Sequence, residues 1–147
     1  MLFGKRERTI RRILIVEDEP LIAFDAEHLL AGAGYEVVAT VAGFAEARRV
    51  IGGQQLDLVL SDINLSGDGD GMDVARAAAA RGVPLVFVSA TCPAVAPHPA
   101  LGCLAKPYSE RGLKLALEAV EATLRGEEVK KLPAGLTLYG QALYGQG

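Results

Sequence analysis

Four short apolar runs of this sequence are each followed by a polar side chain of chemical interest. The runs, with the residues that follow them, are "ILIV" (13–16) with Glu17 and Asp18, "LDLVL" (56–60) with Ser61 and Asp62, "PLVFV" (84–88) with Ser89, and "GCLA" (102–105) with Lys106. Carboxylates that lie close together raise one another's pKa unless they share a cation. Oxygen ligands from few protein groups suit Mg²⁺. This combination predicts a magnesium site beside a carboxylate that can attack phosphorus.

Each of these side chains has its own part in the predicted chemistry. Asp18 and Asp62 are the expected direct ligands of Mg²⁺, and Glu17 is expected to act through water. Asp62 is the expected nucleophile, while Lys106 stabilises the charge of the incoming phosphoryl group and Ser89 donates a hydrogen bond to it. Any one of these residues alone is more often a turn former, a helix cap or a solvated surface residue. Only the combination supports a site.

The apolar runs have the length and composition of buried strands, and helical patterns separate them. A further strand is predicted at 35–40, where β-branched residues follow a glycine. Helices are predicted at 21–33, 44–51 and 72–81 and between Ser109 and Gly126. This alternation predicts an α/β fold with a doubly wound, five-stranded parallel sheet. Ligands bind beyond the carboxyl ends of such strands, where the polar residues stand.

The interval between the last two predicted strands breaks the alternation. "TCPAVAPHPA" (91–100) contains Pro93, Pro97 and Pro99. Proline has no N–H to donate and pushes the residue before it out of helical geometry. The fourth helix is therefore predicted to be reduced or missing.

The length predicts a single domain, and the charge argues that its main partner is not nucleic acid. The chain has 147 residues and a net charge of -3, which argues against nucleic acid as the main partner. No segment has the pattern of a secretion signal or a membrane span, so a cytoplasmic protein is expected. We expect a basic N-terminal arm at 1–10, a folded domain at 11–126 and a C-terminal segment at 127–147 without an effector domain. That segment is expected to be a mobile tail whose apolar residues Leu136, Leu138 and Tyr139 rest on the domain, with docking on a partner or a second subunit as the alternative.

Four motifs together resemble the response-regulator receiver domain, the phosphoacceptor half of two-component signalling. They are "ILIVEDEP" for the acidic pair, "LVLSDINLSGDGDGMDVA" for the phosphoacceptor strand and loop, "LVFVSAT" for the hydroxyl and "CLAKPY" for the lysine. Each motif is weak alone, but four in the right order, each closing a strand, are a specific signal. The resemblance covers roughly residues 11–126 and implies a flavodoxin-like strand order, 2-1-3-4-5.

The resemblance also implies a role for each matching residue. The assignments are Asp62 as phosphoacceptor, Glu17 and Asp18 as the acidic metal pocket, Asn64 as a backbone carbonyl ligand of Mg²⁺, Ser89 as the switch hydroxyl, Ala90 as the small residue that leaves the phosphoryl group open, and Lys106 as the phosphoryl partner. The peptide bond between Lys106 and Pro107 is usually cis in the family, so it is predicted to be cis here.

Cys103 departs from the family, which usually has an aromatic residue three positions before the lysine. A small thiol cannot swing between core and solvent as a ring does, so the usual coupling of hydroxyl and ring is in doubt. Tyr108 is the candidate replacement. Cys103 and Cys92 match neither a disulfide framework nor a zinc pattern, which predicts two reduced thiols.

The resemblance to the receiver family, with no effector domain expected after residue 126, implies a stand-alone receiver. Such a receiver accepts a phosphoryl group on Asp62 from a histidine kinase or a phosphotransfer protein. Output is expected through a downstream protein target, without nucleic acid or membrane insertion, and a homodimer is left open. The protein is not expected to be an enzyme beyond slow self-dephosphorylation.

Three other functions are weighed against a phosphorylated receiver. The first is a receiver-like scaffold that works without phosphorylation. The second is a small phosphatase with Asp62 as nucleophile, but the second aspartate that such an enzyme needs is replaced by Asn64. The third, a nucleotide or flavin module, needs a phosphate cradle after the first strand, where "EDEP" would instead repel an anion.

Overall fold

The computed structural model describes residues 9–95, 97 and 99–139 and confirms the predicted α/β fold. The strands are β1 (Arg12–Val16), β2 (Glu36–Val41), β3 (Leu58–Asp62), β4 (Leu85–Ser89), β5 (Gly102–Ala105) and β6 (Leu136–Leu138). The helices are α1 (Pro20–Gly32), α2 (Phe44–Gly53), α3 (Gly71–Ala80) and α4 (Glu110–Leu124). Most of the predicted N-terminal arm, 1–8, and the end of the C-terminal segment, 140–147, lie outside the described residues.

The strands form one sheet in the order β2-β1-β3-β4-β5-β6. The first five are parallel and stand in the predicted order. β6 is an addition that the sequence did not predict, and it pairs antiparallel with β5, placing Thr137 opposite Cys103. A glycine permits this close pairing, because a Cβ at Gly102 would lie 2.6 Å from the carbonyl oxygen of Thr137. A larger residue at Gly102 would push β6 off the sheet.

Both faces of the sheet are covered by helices, which buries the strands on both sides. Along β1, Ile13 and Ile15 pack in one cluster with residues of α1 and α4. Leu14 and Val16 pack in the other cluster, with residues of α2 and α3. Successive side chains of a strand point to opposite faces, so one strand contributes to both clusters. This double burial explains why the strands are continuous apolar runs.

The predicted loss of a helix between β4 and β5 is confirmed for the residues described there. They form turns and bends, while Ala96 and His98 lie outside the described residues. The backbone N–H of Ala100 donates to the carbonyl of Pro97 at 2.9 Å. The hydroxyl of Tyr139, directly after β6, donates to the carbonyl of Pro93 at 2.7 Å. The proline-rich loop is therefore fastened to the end of the C-terminal segment.

Both described ends of the chain pack on the domain. The carboxylate of Glu121 on α4 accepts hydrogen bonds from the backbone N–H groups of Thr9 and Ile10. Ile10 is fully buried, so residues 9 and 10, which we assigned to the arm, belong structurally to the domain. At the other end Leu136 and Tyr139 are buried, as expected for a segment that rests on the domain. None of the helices in the described ranges is long and apolar enough to cross a membrane.

Candidate functional site

Three carboxylates meet at the carboxyl edge of the parallel sheet. Glu17 and Asp18 directly follow β1, and Asp62 is the last residue of β3, which pairs with β1. One oxygen from each of the three lies within 4.8 Å of the others. Parallel pairing brings these strand ends together, as the sequence predicts. The result is an acidic pocket of the size that one small cation can share.

Lys106, which follows β5, supplies the positive charge of this pocket. Its Nζ lies 2.8 Å from Oε1 of Glu17 and 3.3 Å from Oδ2 of Asp62. All three side chains are largely buried, with exposed fractions of 16%, 6% and 14% respectively. Burial lowers the pKa of Lys106, but the hydrogen bonds and charges of Glu17 and Asp62 outweigh it and raise the pKa above its ordinary value. The ammonium is therefore charged throughout the neutral pH range.

Backbone and loop contacts orient the two acids after β1. The N–H of Glu17 donates to the carbonyl of Val41 at 2.9 Å, and Oε2 of Glu17 accepts from the N–H of Glu19 at 3.1 Å. Oδ2 of Asp18 accepts from both the N–H and the hydroxyl of Ser66 at 3.2 Å. Ser66 was not among the predicted site residues. Its place in the loop after Asp62 was visible, but the direction in which that loop folds was not.

Gly71 holds the loop that follows Asp62 and was also missed. Its N–H donates to the carbonyl of Ile63 at 2.7 Å, and a Cβ there would lie 2.2 Å from the carbonyl oxygen of Asp62. Asp70 caps α3 by accepting from the N–H groups of Met72 and Asp73, and the Asp73 side chain accepts in return from the N–H of Asp70. The start of α3 thus rests directly on the backbone at Asp62.

Ser89 closes β4, but its hydroxyl is engaged within its own loop. The hydroxyl donates to the carbonyl of Thr91 at 3.1 Å and accepts from the N–H of Thr91 at 3.3 Å. Ala90, between them, is exposed, and its small side chain leaves the edge of the sheet open. A hydrogen bond from Ser89 to a group on Asp62 therefore requires the hydroxyl to give up its hydrogen bond to the carbonyl of Thr91.

Three further predictions concern the bond before Pro107, Asn64 and Tyr108. The peptide bond between Lys106 and Pro107 is cis, which confirms that prediction. Asn64 is an exposed residue of the loop after β3, and the role of its carbonyl as a metal ligand stays a prediction. Tyr108 packs against the core and borders a small cavity shared with Glu17 and Asp62. Burial raises the pKa of the Tyr108 hydroxyl above its ordinary value, although the charge of Lys106 acts against it.

The prediction of two reduced thiols is wrong, because Cys92 and Cys103 form a disulfide. Their Cα atoms are 5.8 Å apart, a normal separation for such a bond. Cys103 is fully buried in β5, and the proline-rich loop folds back over the sheet to bring Cys92 to it. The two cysteines are eleven positions apart in the sequence, so only the path of the loop between them decides whether they meet.

The donor set of the acidic pocket fits Mg²⁺. Its carboxylate oxygens are hard ligands, and one ammonium balances only one of the carboxylates. Both oxygens of Glu17 already accept hydrogen bonds, from Lys106 and from the N–H of Glu19, whereas the described hydrogen bonds of Asp18 and Asp62 use only Oδ2. Asp18 and Asp62 are therefore the better placed direct ligands. A divalent cation would neutralise the remaining charge.

Lys106→Met tests how much this charge balance contributes to stability. The variant leaves the buried carboxylate of Glu17 without its cation, so we expect the free energy of unfolding to fall by about 2 kcal/mol. Millimolar Mg²⁺ should restore more stability to this variant than it adds to the wild type. Thermal and denaturant unfolding with and without Mg²⁺ measure both effects.

Lys114→Met is the matched control, because Lys114 is an exposed lysine of α4 away from the pocket. It should change stability by less than about 0.5 kcal/mol. Equal effects of the two substitutions would contradict the described charge balance.

Comparison with known proteins gives a consistent result. The family model "Response regulator receiver domain" matches residues 13–118. The phyllosphere-induced regulator PhyR of Methylorubrum extorquens is 36% identical over 80 residues, which are 53% of this chain and 30% of that protein. The transcriptional regulatory protein PdtaR of Mycobacterium tuberculosis is 31% identical over 121 residues, 78% of this chain and 58% of that protein. The chain thus matches less than two thirds of the length of either relative.

A solved structure with a bound metal resembles this fold. It is the receiver domain of the sensor histidine kinase PA1611 of Pseudomonas aeruginosa, with a magnesium ion in its active-site cleft. The two chains are 29% identical, with a TM-score of 0.65, over 74% of this chain and 95% of that one. Residues 13–118, which the family model matches, contain the acidic pocket described above.

Proposed function

Because the chain belongs to the response-regulator receiver domain family, we propose that Asp62 accepts a phosphoryl group from a histidine kinase or a phosphotransfer protein. The observation that carries the proposal is the position of Lys106, whose Nζ joins Asp62 to Glu17 inside the acidic pocket. A carboxylate beside a fixed ammonium and a metal pocket is suited to phosphoryl transfer, because the incoming charge is stabilised at once.

Each residue of the pocket has a different role in phosphoryl transfer. A carboxylate oxygen of Asp62 attacks phosphorus and forms the acyl phosphate, while the donor's phosphorus–nitrogen bond breaks. Lys106 stabilises a phosphoryl oxygen, and Asp18, Asp62 and the carbonyl of Asn64 hold Mg²⁺ with Glu17 behind them. Bound Mg²⁺ supplies the positive charge that the ammonium alone does not provide. Ser89 then donates to the phosphoryl group once its bond to Thr91 is released.

Output passes through protein contacts in this proposal. Ala90 is exposed beside the site and leaves the phosphoryl group open to water or to a bound protein. We place the protein in the cytoplasm, where kinases have access to ATP, and propose that it loses its phosphoryl group by slow hydrolysis rather than acting as an enzyme. A downstream protein that distinguishes the two states is the expected partner.

Metal removal tests the proposed chemistry. With a small acyl phosphate as donor and millimolar Mg²⁺, intact-mass spectrometry should detect one phosphoryl group on the wild-type protein. EDTA should lower the initial rate of uptake by about 100-fold, since metal stabilisation of a phosphoryl oxygen is worth several kcal/mol. Excess Mg²⁺ should restore it.

Asp18→Asn serves as the matched variant for this experiment, since it removes one charged ligand without changing the size of the side chain. It should need a higher Mg²⁺ concentration for half-maximal uptake than the wild type does. Uptake that is equally fast in EDTA, or no uptake under any condition, would refute the proposed function.

A further inference from the structure

We propose that Cys92 and Cys103 are a thiol–disulfide site at which a dithiol acts, and that its oxidised form holds the Ser89 hydroxyl away from Asp62. The first half concerns the cysteines alone. The second half rests on the proposed function, because it needs a phosphoryl group on Asp62 for Ser89 to contact.

The disulfide joins a loop to the centre of a strand. Cys103 lies on β5, between Phe87 of β4 and Thr137 of β6, and is fully buried. Cys92 lies in the loop after β4 and is only partly buried. The loop is therefore attached to a rigid part of the sheet, and the attachment point is three residues past Ser89.

This attachment bears directly on the hydroxyl of Ser89. That hydroxyl is held by both the carbonyl and the N–H of Thr91, the residue directly before Cys92. To turn towards Asp62, the hydroxyl must give up both of these hydrogen bonds, which compete with a bond to the phosphoryl group as long as Thr91 stays beside Ser89. The bond from Cys92 to a buried position in β5 keeps Thr91 there.

Without the disulfide, the loop would keep a weaker attachment. The hydroxyl of Tyr139 donates to the carbonyl of Pro93, next to Cys92. A single hydrogen bond exchanges readily with water, whereas a covalent bond does not. Reduction therefore leaves the loop attached but able to shift, and a loop that shifts holds the Ser89 hydroxyl less firmly.

Thiol–disulfide exchange starts at the more exposed of the two cysteines, Cys92. A thiolate of a small or protein dithiol attacks Sγ of Cys92, the sulfur–sulfur bond breaks, and the electron pair leaves on Cys103, which takes up a proton. The second thiol of the reductant then attacks the mixed disulfide and releases Cys92. The protein gains two electrons and two protons, and the reductant ends as a disulfide. A small-molecule disulfide such as oxidised glutathione reverses the sequence.

In the cytoplasm, where we place the protein, the disulfide would form only under some conditions. Thiol systems of the cytoplasm keep most cysteines reduced, so a disulfide forms there mainly under oxidising conditions. The reduced protein would then be the form that holds a phosphoryl group well. The oxidised form would respond weakly to the same kinase.

The test compares two redox forms of the wild-type chain of 147 residues. Thiol titration should find no free thiol in the oxidised form and two after treatment with dithiothreitol. The reaction contains Mg²⁺ and a small acyl phosphate at a non-saturating concentration. Reduction should raise the ratio of phosphorylated to unphosphorylated Asp62 by about 10-fold, because a charge-assisted hydrogen bond from Ser89 stabilises the phosphorylated form by about that factor.

Cys92→Ser is the control, chosen because Cys92 is the partly exposed partner and its loss leaves the buried sulfur in place. This variant should match the reduced wild type with or without dithiothreitol, which also corrects for any action of dithiothreitol on the donor. Free thiols in the oxidised form would refute the site. Equal phosphorylation of both wild-type forms would refute the coupling while leaving the proposed function intact. Absence of phosphorylation in both forms would refute the proposed function and the coupling with it.

Discussion

Asp62→Asn is expected to abolish phosphoryl uptake from a small acyl phosphate in the presence of Mg²⁺. The amide has nearly the shape of the carboxylate, but its oxygen is a poor nucleophile and cannot form an acyl phosphate. Intact-mass spectrometry should show no adduct on the variant under conditions that label the wild type. Because the substitution removes one of three neighbouring negative charges, thermal stability should stay equal or rise. A loss of labelling then reflects chemistry rather than unfolding.

Asp68→Asn is the control for this prediction. Asp68 is an exposed acid of the same loop that does not belong to the acidic cluster, and its variant should be labelled like the wild type. Labelling of Asp62→Asn at the wild-type level would place the phosphoryl group elsewhere. If the variant is unlabelled but binds every downstream protein as the wild type does, the scaffold function is the better description. Rapid hydrolysis of small phosphate esters by the wild type would favour the phosphatase.

Gly71→Ala is expected to destabilise the domain by about 3 kcal/mol, a large effect for a single methyl group. The new Cβ would lie 2.2 Å from the carbonyl oxygen of Asp62 and 2.6 Å from Cα of Ile63, which are backbone atoms that cannot turn aside. Relief requires α3 to move away from β3, and this movement weakens the bond from the N–H of Gly71 to Ile63. Denaturant unfolding measures the loss. Phosphoryl uptake should fall as well, because the backbone at Asp62 is displaced.

Gly52→Ala is the control, with an expected effect of opposite sign. Gly52 lies in α2 and a Cβ there meets no atom within 4 Å, so alanine should stabilise the helix by up to about 1 kcal/mol. Equal stability of the two variants would show that α3 does not rest on Asp62 as described.

Local sequence signals were sufficient for most of the elements. The predicted helix at 44–51 corresponds to α2, Phe44–Gly53, and the predicted cap Ser109 accepts from the N–H of Gly112 at the start of α4. The three prolines of 91–100 correctly indicated that no ordinary helix forms in the described part of that interval. These features depend on residues close together in the chain, so a short window contains their cause.

Contacts between distant segments could be predicted from the sequence only where a general rule applied. Parallel strands present their carboxyl ends at one edge, and this rule alone predicts that Asp18, Asp62 and Lys106 lie near one another. No such rule exists for β6, a three-residue strand too short for its alternation to be distinctive, or for the contact of Ser66 with Asp18. The cis bond before Pro107 followed from family resemblance rather than from the residues themselves.

The sequence by itself determined the fold class and the group of polar residues at one edge of the sheet, because apolar periodicity and proline act locally and parallel strands end at a common edge. The strand order followed from the family resemblance. The tertiary structure alone decided that Cys92 meets Cys103, that Gly71 must lack a side chain, and that Ser89 is held by its own loop. Each of these depends on the path of a loop in space. That path is set by packing against the finished sheet, and no neighbouring residue in the chain encodes it.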